Sequence, residues 1–169
     1  MLSTYRLCVI IFLLCVTSVS LFAKKEILVD LSVQKAYALE DGFIVFEGRI
    51  SSGKKGRETP TGIYKIMQKK RKHRSNLWPK PNGGAKMPYM LRLTNSGIAM
   101  HLGRVPNKPA SHGCIRLENG FAQKMFYWAR VGTVVYVEGD ARDYADYIGY
   151  RNRDRYYDDH EYDMVDYHY

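Results

Sequence analysis

The chain has 169 residues, which suits one domain of ordinary size. Its formal charge is +9, so an anionic partner is expected. The charge is uneven: residues 24–141 carry 21 Lys and Arg against 9 Asp and Glu, whereas residues 142–169 carry 4 Arg against 8 acids.

Residues 1–23 read as a secretory signal peptide. Arg6 supplies the positive start, residues 7–16 are a continuous apolar run, and Ala23 precedes Lys24. A membrane helix needs roughly 20 apolar residues, so the run is short for a span. An uncleaved anchor is the alternative. A lipidated Cys15 is disfavoured because Leu14 is too large for the usual small residue before such a site. The expected location is the periplasm or cell envelope. That removes nucleic acid as a partner and leaves carboxylate-bearing peptidoglycan and acidic lipid surfaces. Cleavage also removes Cys8 and Cys15, leaving Cys114 without a partner where thiols normally pair.

Past the signal, residues 27–31 and 35–39 are short strand-like runs, and Glu40-Asp41-Gly42 reads as a hairpin turn into a strand at 43–50. Residues 51–56 are a loop, and residues 59–66 (TPTGIYKI) are a turn entering another strand. Residues 68–86 are basic, then rich in Pro, Asn and Gly. They read as a long surface excursion, with Trp78 capping it. Its KKRKHR run is expected to be a solvated loop, the other reading being an electrostatic contact beside the site. Two strands are expected around Asn95-Ser96-Gly97. A helix is expected over 119–131, with Glu118 and Asn119 at its cap and Gly132 closing it, then a last strand at 133–138. The fold class is mainly β: a sandwich-like mixed sheet of short strands with one or two helices. Residues 24–140 form the domain. Residues 141–169, rich in Tyr and acids but poor in aliphatics, form a tail that builds no core of its own.

The chemistry centres on SHGCIR, residues 111–116. A thiol becomes a good nucleophile when a base takes its proton, and imidazole suits that task at neutral pH. His112 lies two positions before Cys114, and His101 ends the strand-like run GIAMH. Gly113 leaves the backbone open for amides around residues 112–114 to face a reacting carbonyl oxygen. Arg116 would share the face of Cys114 and meet a carboxylate. A small buried hydrophobe is the other reading of a lone Cys. A zinc site of Cys114, His112 and His101 is the chemical alternative, with spacings that match no familiar finger.

HLGRVPNKPASHGCIRL resembles the signature of the L,D-transpeptidase catalytic-domain family, also called YkuD-like or ErfK/YbiS-type. In that family a His is followed by a loop, Ser/Thr-His-Gly-Cys, an aliphatic residue, and Arg or Asn. ISSGKKGRETPTGIYKI and MPYM resemble further family segments, so the likeness runs from about residue 27 to 137. One departure is Leu102, where the family usually has Gly after the His; Gly103 follows.

The resemblance implies the L,D-transpeptidase fold and a two-step acyl transfer. Cys114 is the implied nucleophile and His101 the general base and acid. Ser111, His112 and Gly113 shape the pocket and oxyanion hole, while Arg116 and Tyr89 bind substrate. The implied substrate is a peptidoglycan stem tetrapeptide. The acceptor is an amine, on a second stem peptide or a protein, or else water, which would make a carboxypeptidase. Neither cofactor nor metal is implied, and a monomer is expected. A non-catalytic, basic wall-binding protein of the same fold is the competing class; the intact His101–Cys114 pair speaks against it.

Overall fold

The computed structural model describes residues 23–76 and 83–144. Among them are nine strands: β1 (Lys25–Asp30), β2 (Lys35–Glu40), β3 (Phe43–Ser51), β4 (Gly62–Lys65), β5 (Gln68–Lys70), β6 (Met90–Arg92), β7 (Ala99–Leu102), β8 (Ile115–Leu117) and β9 (Val134–Glu138). They form one sheet in the order β4-β9-β1-β2-β3-β8-β7-β6-β5. The β1–β9 and β7–β8 pairs are parallel and the other pairs antiparallel. The sequence-based expectation of a mainly β, mixed sheet therefore holds, and the sheet curls on itself.

Alternation builds the core. Ile27 and Val29 of β1 turn inward, as do Ala36 and Ala38 of β2 and Val135 and Val137 of β9. The same apolar cluster takes in Leu91 of β6, Met100 of β7 and Ile115 of β8, from the other half of the sheet. Each Ile, Leu, Val or Met among them contributes about 1.5–3 kcal/mol on full burial, and each Ala less. β3 joins the halves: it pairs with β2 along most of its length and with β8 only at Ile50 and Ser51.

Helix α1 (Phe121–Trp128) buries Phe121, Ala122, Met125 and Phe126. Phe121 lies over β3 at Gly48, where a Cβ would stand 2.2 Å from its ring. Phe46 of β3 meets Phe121 and Trp128 edge-on, at 6.0 and 5.4 Å between ring centroids.

The helix is shorter than expected. Gly120, at φ 78°, is the N-cap, with no side-chain cap bond. The Glu118 carboxylate instead accepts from the backbone amide and Nε of Arg49, at 3.0 and 3.1 Å. At the other end Ala129 turns extended. There Arg130 N donates to Thr133 Oγ1 and Gly132 N donates to Ile66 O, drawing the chain into β9.

Residues 68–86 also differ from a plain surface excursion. Residues 68–70 are strand β5 on the sheet edge, and Arg74 and Lys86 face each other in an isolated antiparallel bridge. Trp78 lies outside the described residues, as do residues 1–22 and 145–169. Among the described residues no helix is long and apolar enough to cross a membrane.

Candidate active site

Strands β7 and β8 set the site. Met100 pairs with Ile115 and His101 with Arg116. Met100 and Ile115 are fully buried in the core. Alternation turns His101, Cys114 and Arg116 to the other face, where all three line a cavity of about 560 Å³. Ser111 and His112 line it too, so the structure gathers five of the residues singled out from sequence. Gly113 is buried.

The turn before β8 is held from both sides. Ser111 pairs with Gly53 in a parallel bridge, and its amide donates to Ser52 O at 2.9 Å. The Ser111 hydroxyl donates to Cys114 O and accepts from the Gly113 amide at 3.1 Å. Ser111 is therefore a structural clamp on the turn. It also takes the Gly113 N–H, one of the amides expected to face a reacting oxygen. Gly113 sits at φ 111°, where an L side chain is strained, and a Cβ would meet Ile98 Cδ1 at 3.2 Å.

Thr59 was not singled out from the sequence. It is buried, accepts the Gly53 amide at 2.8 Å and donates to Gly113 O at 2.9 Å. Behind it, Gln34 is 2 % exposed and ties Ser52 to Leu31: its Nε2 donates to Leu31 O and Ser52 Oγ, and its Oε1 accepts from Ser52 N. The TPTG motif held the signal for Thr59, which a turn reading absorbed.

His101 is buried, and its Nδ1 lies 2.8 Å from Leu102 O. A carbonyl only accepts, so Nδ1 carries the proton and Nε2 keeps the lone pair. Leu102 thus serves through its backbone, and its side chain in place of Gly leaves that bond intact. Gly103 makes room opposite, since a Cβ there would stand 3.0 Å from the Arg116 side chain. Burial holds the His101 pKa below the ordinary imidazole value despite the Leu102 bond, and the Arg116 and His73 charges push the same way.

The Cys114 thiol packs beside Met87, Met90 and Ala99 and donates to Gly97 O at 3.6 Å. Burial raises its pKa, with the Ala99 backbone and the Arg116 cation opposing. Both shifts favour the uncharged forms, a thiol and an imidazole that line one cavity.

Tyr89 is placed elsewhere. It does not line this cavity; its ring packs edge-on against Phe126 and Tyr127, at 5.5 and 6.2 Å between centroids. Among the described residues no three His, Cys, Asp or Glu side chains converge to hold a metal ion, which leaves the zinc alternative without a ligand cluster. The remaining cavity wall comes from residues 74–75, 83–87 and 102–104.

The model of a family described as the L,D-transpeptidase catalytic domain (YkuD) matches residues 24–137. Among solved structures the chain is similar to an L,D-transpeptidase from Stackebrandtia nassauensis, with 28% identity, 72% of this chain and 58% of that one covered, and a TM-score of 0.60. It is similar to Mycobacterium tuberculosis L,D-transpeptidase 1 at 25% identity, covering 70% of this chain and 63% of that one, with a TM-score of 0.59. A third similar structure is the LD transpeptidase LdtMt1 in complex with imipenem, at 25% identity, 69% and 59% coverage and a TM-score of 0.63. The chain thus spans 58 to 63% of the length of these three solved chains. No curated protein matches it.

Proposed function

The chain belongs to the L,D-transpeptidase catalytic-domain family, and from that premise we propose that it is a cysteine-dependent acyltransferase acting on peptidoglycan stem peptides. The carrying observation is the contact of His101 Nδ1 with Leu102 O, which leaves Nε2 to act as base, in a residue that lines one cavity with Cys114.

In the first step the Cys114 sulfur attacks the carbonyl that follows the L-centre of a stem tetrapeptide. His101 Nε2 takes the thiol proton. The developing oxyanion is assigned to the Cys114 amide, since the Gly113 amide is committed to Ser111. Collapse breaks the C–N bond. His101 returns the proton to the leaving amine, the terminal D-amino acid departs, and a thioester remains. Arg116 holds a carboxylate of the donor. In the second step an acceptor amine attacks the thioester carbonyl and His101 takes its proton; the C–S bond breaks, an amide is left, and His101 gives the proton to the departing Cys114 sulfur.

Export to the cell envelope, a mature catalytic body of residues 24–140 and a monomeric state complete the proposal. Water in place of the amine would make the protein an L,D-carboxypeptidase. Incubation with a tetrapeptide-bearing muropeptide, followed by mass analysis, tests the reading. Loss of the terminal D-amino acid with a cross-linked product supports transfer. A tripeptide alone supports hydrolysis, and unchanged tetrapeptide refutes the acyl-transfer reading.

A further inference from the structure

Strand β3 begins with three consecutive apolar residues that its own fold does not bury: Phe43, Ile44 and Val45 are 78, 58 and 44 % exposed. Strand register sets two more exposed apolar side chains at the same end of the sheet. Phe43 pairs with Glu40 and Glu40 with Lys25, while Glu26 pairs with Val134 and Val134 with Lys65. Just beyond that row Ile66 exchanges backbone bonds with Gly132 and Thr133, at 2.8 and 2.9 Å, and its neighbour Met67 and Val131 before Gly132 are both exposed. Clustered exposed apolar side chains mark a contact surface.

The described chain also enters at this end. Lys24 is clasped to the β2–β3 turn, its amide donating to Asp41 Oδ1 at 2.8 Å and its carbonyl accepting the Asp41 amide at 3.0 Å. The sequence immediately before it holds the continuous apolar run 7–16. Whatever that run enters, the tip with Phe43 and Ile44 is the part of the sheet nearest to it. The tip offers no net positive charge: Lys24 and Lys25 stand against Glu26, Glu40 and Asp41, with Lys24–Glu26 and Lys25–Glu40 paired at 2.8 and 3.4 Å. Its chemistry is therefore apolar rather than electrostatic.

A second copy adding a strand to β3 is the competing occupant, since among the described residues β8 meets β3 only from Ile50 onward. The register shift opposite Ala38 and Leu39 works against it. Phe46 pairs with Ala38 and Ile44 with Leu39, which leaves Val45 as a bulge, the device that bends an edge away from further pairing.

We propose that this end of the sheet is a foot that sits in the interface of a phospholipid bilayer, with Phe43, Ile44 and Val45 entering the boundary between headgroups and acyl chains. The catalytic cavity then faces away from the lipid. Ser51 at the other end of β3 pairs with Arg116, and Gly53 bridges to Ser111. The nine residues of β3 set the two ends roughly 30 Å apart, at about 3.3 Å per residue.

Tryptophan quenching in the full chain, with residues 1–23 retained, tests the foot. The vesicles are phosphatidylcholine, part of it brominated near the top of the acyl chains, so that no anionic lipid draws the protein down by charge. Phe43→Trp and Ile44→Trp report on the foot. Lys108→Trp reports on the far end, where the Lys108 carbonyl accepts the Ser51 hydroxyl at 2.7 Å. Emission of the native Trp78 and Trp128 is subtracted using the wild type. The foot tryptophans should lose about half their intensity, since an interfacial residue lies about 5–10 Å into the boundary, within reach of the bromines. Lys108→Trp should keep its intensity, and high salt should leave the quenching in place. If one foot variant fails to fold, the other carries the readout. Foot quenching no greater than at Lys108→Trp, or quenching that high salt removes, would overturn the proposal. So would a foot tryptophan already shielded without lipid and exposed again on dilution, which would assign the face to a second copy.

Discussion

Thr59 donates its hydroxyl proton to the carbonyl of Gly113 at 2.9 Å while accepting the Gly53 amide at 2.8 Å. One buried hydroxyl thus ties the TPTG segment to the turn carrying Cys114. The thiol's position depends on a contact between residues 54 apart in sequence.

Thr59→Val keeps the shape of the side chain and removes both bonds, leaving a buried N–H and a buried C=O without partners. The expected cost is roughly 2–4 kcal/mol. Acylation of Cys114 should slow as the turn loosens, and Thr59→Ser should restore both stability and rate. Urea unfolding and acylation kinetics check this. A Val variant matching wild type in both would remove Thr59 from the account.

The pH dependence of acylation follows from His101. Burial disfavours the imidazolium, so the ring stays neutral and basic below the usual imidazole pKa of about 6.5. The rate should hold its plateau through that value and fall only at more acidic pH, as His101 gains its second proton. An acid limb centred above the ordinary imidazole value would contradict the burial reading.

The two histidines should separate in kinetics. His101→Ala is expected to lower the acylation rate by about 10²–10⁴, the usual worth of a general base. His112 is exposed on the cavity wall, so its Ala variant should lose much less. Single-turnover rates decide it, and a larger loss in His112→Ala would reverse the roles.

Much of this was legible locally. Asp41-Gly42 announces a hairpin because both residues must take positive φ, and both do, at 50° and 84°. The alternation of Ile27 and Val29 marks β1, and SHGC marks the turn that brings Ser111, His112 and Cys114 to the cavity. What was missed depends on distant partners. QKK of β5 carries no apolar alternation, as suits an edge strand that among the described residues pairs only with β6. Glu118 looks like a helix cap yet is claimed by Arg49, 69 positions away. Tyr89 belongs to the MPYM segment, and no local pattern shows that its ring packs against Phe126 and Tyr127 of α1. Residues 74–75 and 83–86 read as solvated loop because no local pattern shows that they line the cavity that holds Cys114.

Packing of α1 gives a stability test remote from the chemistry. A methyl at Gly48 would drive into the Phe121 ring. Gly48→Ala should therefore destabilise by about 1–3 kcal/mol through overpacking, even though Ala suits a strand no worse than Gly. Gly48→Ala with Phe121→Leu should recover part of the loss. Thermal unfolding of both variants checks it, and an unaffected Gly48→Ala would place the helix farther from β3.

The central claim, that Cys114 is the nucleophile and His101 its base, is tested most directly by intact-protein mass spectrometry after exposure to imipenem. Its strained carbonyl should acylate the thiol, opening the ring and leaving a thioester. Wild type should gain one adduct per chain, His101→Ala should gain it far more slowly, and Cys114→Ala should gain none. An adduct forming at the full wild-type level in Cys114→Ala would contradict the account.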